Sequence, residues 1–236
     1  MLELRPFTQE DFPRLIRWID SPRTLVQWGA WTFTFPLDAQ QLTAYLHETQ
    51  GERPTRVVWK AVLVERHAVV GHIELNHIDR AQRTASICRV LIAPDARGHG
   101  LCTEMVRRAT ALGFGVYRLR RIDLQVYAFN THAMACYERV GFVKEGCLRQ
   151  FRQVGEEYWD LVWMSILEDE WHARQRQGDE RHEPHQDGRD PCGDFLLSPG
   201  REGEWQHMAH QAQDRKEPPM GGQPASLVAP GRQVLP

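Results

Sequence analysis

Residues 90–102, Val-Leu-Ile-Ala-Pro-Asp-Ala-Arg-Gly-His-Gly-Leu-Cys, constrain the fold more than any other stretch of the chain. A β-branched run meets Pro94, two closely spaced glycines follow, and Leu101, Met105, Ala109 and Leu112 then recur at helical intervals. The segment predicts a strand, a glycine turn and a helix.

Such a turn has a chemical use. Small residues let backbone N–H groups approach an anion, and a helix N-terminus adds its partial positive charge at the same place. A Walker phosphate loop would close on Gly-Lys-Ser/Thr, and a dinucleotide fold would carry Gly-x-Gly-x-x-Gly inside parallel βαβ units. This sequence has neither.

The rest of the chain organises around that segment. Leu2 to Pro6 alternates like a short strand, and Thr8 with Asp11 resembles a helix start ahead of Leu15, Ile16, Trp18 and Ile19. Asp38 and Gln41 repeat the capping pattern before Leu42, Tyr45 and Leu46, after an aromatic loop containing Trp28, Trp31, Phe33 and Phe35. Val57–Glu65, Ala68–Ile78 and Thr84–Ile92 read as three consecutive antiparallel strands. After the glycine-turn helix, which ends near Gly113 and Gly115, Ile122, Leu124 and Val126 mark a buried strand, and Ala133–Val140 a short helix ending at Gly141. Phe142–Gln150 and Glu157–Leu167 form a last antiparallel pair, turning at Gly155.

Composition limits what this unit does. A net charge of −2 over 236 residues gives no general basis for binding nucleic acid. The N-terminus lacks the apolar run of a secretory signal, and no stretch reaches membrane-spanning length. Five scattered cysteines fit a reducing cytoplasm better than a disulfide framework or zinc site. Beyond Trp171 polar residues, Gly and Pro dominate, with isolated apolar residues such as Phe195, Leu196 and Leu197, so residues 1–174 are expected to form the domain and 175–236 a disordered tail. His182-x-x-His185 and His207-x-x-His210 lack partners at defined spacing, and no metal is expected.

Two linked motifs carry a family resemblance. Arg97-x-x-Gly100-x-Cys102 resembles the acyl-CoA signature of the GNAT superfamily, Gln/Arg-x-x-Gly-x-Gly/Ala, with Cys102 departing at the last position. Asn130 to Phe142 resembles that family's Asn-x-x-Ala-x-x-x-Tyr-Glu-x-x-Gly-Phe segment. The likeness extends over about residues 1–174. It implies an α/β (α+β) fold, a mixed, mostly antiparallel sheet of about seven strands flanked by helices, and acetyl-CoA bound between the fourth and fifth strands. Trp28 to Tyr45 and Tyr158-Trp159-Asp160 look most like the Rim-type (ribosomal-protein-alanine) and diamine-acetylating branch.

The resemblance also places roles on residues. Val90, Leu91 and Ile92 would pair with the pantetheine arm, while Arg97, Gly98, His99, Gly100, Leu101, Cys102 and Thr103 would hold the diphosphate. Asn130 would hydrogen-bond the pantetheine region, Ala133 would also belong to the coenzyme-binding set, and Tyr137 would protonate the departing sulfur as general acid. The ribosomal-protein branch draws a glutamate five residues before the asparagine, where this chain has Gln125. Glu74 is the candidate base instead, on one strand face with His72 and Asn76, and Asp160 is the reserve.

The implied reaction is direct acetyl transfer to a primary amine, a protein N-terminus or a small molecule, by a cytoplasmic enzyme with a homodimer left open. Two rivals stand beside it: a non-catalytic acyl-CoA-binding module, and a transferase of another acyl group. Tyr137 alone would read as core, Glu74 as the polar side of a half-buried strand, and Cys102 and Cys136 as packing rather than nucleophiles. Arg107, Arg108, Arg118, Arg120 and Arg121 could meet the coenzyme 3′-phosphate or form a solvated face. The aromatic loop is core or, as favoured here, a wall of the acceptor groove.

Overall fold

A computed structural model describes residues 1–30 and 32–179. Trp31, the two His-x-x-His pairs, Phe195 to Leu197 and most of the expected tail lie outside the described residues. Seven strands form one sheet in the order β1-β2-β3-β4-β5-β7-β6: Leu2–Pro6 (β1), Val57–Leu63 (β2), Ala68–Asp79 (β3), Thr84–Ile92 (β4), Arg121–Tyr127 (β5), Val143–Val154 (β6) and Glu157–Leu167 (β7). Every pairing is antiparallel except β4 with β5. The mixed, mostly antiparallel sheet expected from the sequence is therefore present.

Helices cover both faces. Phe12–Trp18 (α1), Pro22–Gly29 (α2) and Ala39–His47 (α3) lie on one; Leu101–Gly115 (α4) and Thr131–Val140 (α5) lie on the other. Strand alternation divides the apolar side chains between them. Ile73 and Leu75 of β3, Ile87 of β4 and Leu124 of β5 pack with Met105 and Ala109 of α4, whereas Val58 and Leu91 pack with Leu15, Leu25 and Leu42 of α1–α3. Glu168–Asp179 (α6) follows β7, with Trp171 buried and its ring 6.0 Å from Phe114. This helix continues past residue 174, where the domain boundary was drawn.

Two elements differ from the sequence expectation. The segment taken as an aromatic loop begins as α2, where Ser21 accepts the Thr24 N–H at 3.2 Å and Pro22 occupies the first helical position. Strand β6 runs beyond Gln150 to Val154, because extra residues bulge between Leu148, opposite Leu161, and Arg152, opposite Trp159. The expected capping at Asp38 is present, its Oδ1 accepting the Gln41 N–H at 2.8 Å. No described helix is long and apolar enough to cross a membrane.

Candidate active site

Strands β4 and β5 pair from Thr84 opposite Arg121 to Ile87 opposite Leu124, and then part. Each follows its outer neighbour instead: β4 stays on β3 as far as Ile92 opposite Gly71, and β5 stays on β7 as far as Tyr127 opposite Leu161. A bulge aids the separation, since His72 and Glu74 oppose Leu91 and Cys88, leaving an extra residue on β4. Arg89 lies within it at φ +51°. The resulting cleft has a volume of about 350 Å³ and is lined by Cys88 to Ile92 on one side and Gln125 to Tyr127 on the other.

The glycine turn stands at one end of this cleft. Gly98 and Gly100 adopt φ +79° and +73°, where a side chain is disfavoured, and a Cβ at either would meet nothing within 4 Å. Gly100 caps α4 with no side-chain acceptor. Among the described residues, the first amide of the new helix to find a backbone acceptor is Glu104, which donates to the Gly100 carbonyl at 3.2 Å. A helix start turns its first amides outward, beyond the reach of any i−4 carbonyl of its own helix, and this start adjoins the cleft. Arg97 lines the cleft with its Nε 3.4 Å from the Ile92 carbonyl, and burial lowers its pKa from the usual arginine value.

Helix α5 supplies the opposing wall. Asn130 caps it, its Oδ1 accepting the Ala133 N–H at 3.2 Å while its own N–H donates to the Tyr127 carbonyl at 2.8 Å. Asn130, Ala133 and Tyr137 all line the cleft. Tyr137 is only 6% exposed, and burial pushes its phenol pKa upward, so the group stays protonated. The thiol of Cys88 is also pushed up, to about 12, by burial and then by the Glu74 charge. It is a poor nucleophile in that state.

The other face of the sheet carries a buried polar network. His72, Glu74 and Asn76 share that face, as strand alternation predicts, but all three are buried rather than solvated. Glu74 is wholly enclosed. Its Oε2 accepts from the Tyr45 hydroxyl at 2.6 Å and from Arg89 Nη1 at 2.6 Å, and its Oε1 lies 3.0 Å from Arg56 Nε. That last contact is an ion pair without hydrogen-bond alignment. Burial would lower the Arg89 pKa, but the Glu74 charge together with Tyr45 and the hydrogen bond to Glu74 outweighs it, and the guanidinium is held protonated. Burial followed by the same charge raises the Tyr45 pKa well above its usual value.

A second set of bonds fixes the bulge. The Arg89 carbonyl accepts from Trp28 Nε1 at 3.0 Å and from His72 Nδ1 at 3.0 Å, and Arg89 Nη2 donates to Thr32 at 2.7 Å. Burial depresses the His72 pKa to about 4, so its ring is neutral. Trp28 lines the cleft and stacks on the buried Phe33, centroids 5.2 Å apart. The aromatic stretch is thus wall and core at once.

Of the expected site residues, Val90, Leu91, Ile92, Arg97, Cys102, Asn130, Ala133 and Tyr137 line one cleft, with Gln125 facing them from β5. Gly98, His99, Gly100, Leu101 and Thr103 belong to the adjoining turn and first helical turn rather than to the cleft lining. The expectation for Glu74 needs correction in its geometry: the carboxylate does not line the cleft, because Arg89 and Tyr45 stand on it. Asp160 does not line it either, and its Oδ1 accepts the Gln150 N–H at 2.6 Å within the β6 bulge. Sequence reasoning missed His77, an exposed cleft residue, and Arg152. Among the described residues no three His, Cys, Asp or Glu gather as metal ligands.

Comparison with known proteins agrees with this geometry. The acetyltransferase (GNAT) domain family matches residues 1–143. A spermidine N(1)-acetyltransferase of Vibrio cholerae is 32% identical over 103 residues, 44% of this chain and 59% of that protein. The chain thus spans about three fifths of that relative's length. The Escherichia coli K12 spermidine N(1)-acetyltransferase is 26% identical over 180 residues, 74% of this chain and 90% of that one. Among solved structures, a Vibrio cholerae spermidine N-acetyltransferase in complex with CoA and spermine shares the fold, with a TM-score of 0.64 and 23% identity over 72% of this chain and 98% of that one.

Proposed function

The chain belongs to the GNAT acetyltransferase family, and from that premise we propose that it is an N-acetyltransferase moving the acetyl group of acetyl-CoA directly to a primary amine. The observation that carries this reading is the parting of β4 and β5 beside an amide-rich, side-chain-free turn. Backbone of Val90 to Ile92, freed from β5, suits an extended amide-bearing arm, and the donors of Gly98 to Thr103 suit a diphosphate. The solved relative with CoA and spermine supports both the coenzyme and a small-amine acceptor.

Tyr137 is the general acid in this reading. Its phenol is held protonated inside the cleft, and the same dry surroundings raise the basicity of a thiolate released beside it. The proton on the amine needs a different acceptor. His77 lines the cleft, and imidazole is the side chain most often used as a general base, so His77 takes that role. Glu74, clamped by Arg56 and Arg89, serves as the counter-ion that fixes the bulge.

Thiol release from acetyl-CoA with a panel of amines tests the assignment. Tyr137→Phe should lower kcat about a hundredfold, within the usual range for a general acid, while calorimetry still registers acetyl-CoA; undiminished turnover would remove Tyr137 from the chemistry. Loss of the acid limb of the kcat/KM profile in His77→Asn supports that base, and an unaltered profile excludes it. Coenzyme binding by wild type without turnover of any amine would leave a binding module.

A further inference from the structure

Arg89 grips one wall of the cleft with its backbone and its side chain at once. Between Cys88, opposite Glu74, and Leu91, opposite His72, the chain places Arg89 and Val90 where β3 has Ile73 alone. A bulge of this kind re-aims the residue within it. The Arg89 carbonyl accepts from the Trp28 indole at 3.0 Å, while Nη1 donates to Glu74 at 2.6 Å and Nη2 to Thr32 at 2.7 Å. The guanidinium carbon also lies 5.5 Å from the Phe33 ring centroid and 5.2 Å from that of Tyr45. Its charge is balanced by Glu74.

The segment so gripped is a wall. Trp28, Gly29, Ala30 and Thr32 line the cleft from the α1–α3 face, across the sheet from α4 and the glycine turn. This segment is packed on itself, with Phe33 stacked on Trp28 and a Cβ at Gly29 lying only 2.7 Å from the Phe33 ring. Its hydrogen bonds from Trp28 and to Thr32 both end on Arg89. The residues that follow Arg89 on β4, Val90 to Ile92, are those that suit the coenzyme arm. One residue thus spaces the two substrates.

We propose that Arg89 is a positioning residue that sets the acceptor side of the cleft, clasping Trp28 and Thr32 at a fixed distance from the strand that takes the coenzyme. The proposal rests on the transferase reading and adds a residue to it. A planar guanidinium offers Nη1 and Nη2 in fixed directions, so it holds a carboxylate and a hydroxyl together. A lysine would keep a charge beside Glu74, but its ammonium is one point on a flexible stem. The reaction depends on that spacing, because a small misplacement of the attacking group costs rate without touching coenzyme affinity.

Arg89→Lys, Thr32→Val, the two together and Thr32→Ser separate these roles on the full chain. Each is assayed for thiol release with spermidine and with an amine-terminal peptide, for acetyl-CoA binding by calorimetry, and for amide exchange at Ala30 and Thr32, which donate to Val26 and Gly29. Arg89→Lys and Thr32→Val should each lower kcat/KM for the amine about tenfold. The double variant should fall no further than either alone, since both remove one contact. Thr32→Ser, which keeps the hydroxyl, should match wild type, and acetyl-CoA affinity should hold throughout. Exchange at Ala30 and Thr32 should quicken in every variant but Thr32→Ser. Additive losses, an unimpaired Thr32→Val or an equal fall in acetyl-CoA affinity overturns the proposal. A thermal melt reports the fold of Arg89→Lys, and Thr32, at an exposed position, carries the test if that variant unfolds. No heat from wild type with acetyl-CoA would overturn the transferase reading instead. There, or where wild type acetylates neither amine, exchange in Thr32→Val decides the clasp, and an unchanged rate refutes it.

Discussion

The two faces of the sheet solve the same problem in opposite ways. On the α4–α5 face the cleft is edged by backbone: a side-chain-free glycine turn and a helix start with no side-chain cap. On the α1–α3 face charged and polar side chains pair with one another, as Glu74 does with Tyr45, Arg56 and Arg89, and the Arg89 carbonyl accepts from Trp28 and His72. Bare backbone binds; paired side chains hold shape. The first face should therefore respond to mutation mainly in affinity, and the second in stability.

The sharpest way to break this contrast is Glu74→Gln. Removing one charge from a buried pair typically costs about 3–5 kcal/mol, so the urea midpoint should fall steeply. A near-normal midpoint would mean that the network is not what holds the α1–α3 face.

Acid probes the same face with a somewhat smaller effect. His72 has a folded pKa of about 4 against an ordinary 6.5, so below pH 6.5 the unfolded chain takes up a proton that the folded one refuses. Its contribution is fully present above pH 6.5 and fades as the pH falls toward 4, by up to about 3 kcal/mol. Urea titrations across that window should show the slope, and His72→Gln should flatten it; an unchanged slope would assign the acid sensitivity elsewhere.

The smallest stability effect belongs to the other face. Gly100→Ala places a Cβ at φ +73°, at a cost of about 1 kcal/mol. The Cβ would project into open space beside the donors, so acetyl-CoA affinity should drop several-fold more than stability alone explains. Full affinity in that variant would mean the coenzyme does not approach the turn closely.

The same contrast explains what the sequence disclosed. The α4–α5 face is written in contiguous segments, Val90 to Cys102 and Asn130 to Phe142, because a turn and the helix it opens are local objects. Its residues were legible down to Asn130 and Tyr137. The α1–α3 face joins Tyr45, Arg56, Glu74 and Arg89 from four separate stretches of the chain, and alternation alone showed which way Glu74 pointed but not that two guanidiniums awaited it. Arg152 was hidden by a bulge that interrupts the period of two. Helix α2 was legible and overlooked, since Ser21-Pro22 is a cap followed by proline at the first helical position. His77 gave no local signal, being one histidine near the end of a strand, at φ +52°.

The parting of β4 and β5 as the seat of the coenzyme is best tested by titrating acetyl-CoA into the pure protein in a calorimeter, with Gly100→Val as the comparison. Wild type should bind one equivalent and the folded variant should bind far more weakly, because its branched side chain occupies the approach to the turn. Equal binding by both proteins, or no heat from wild type, would contradict the account.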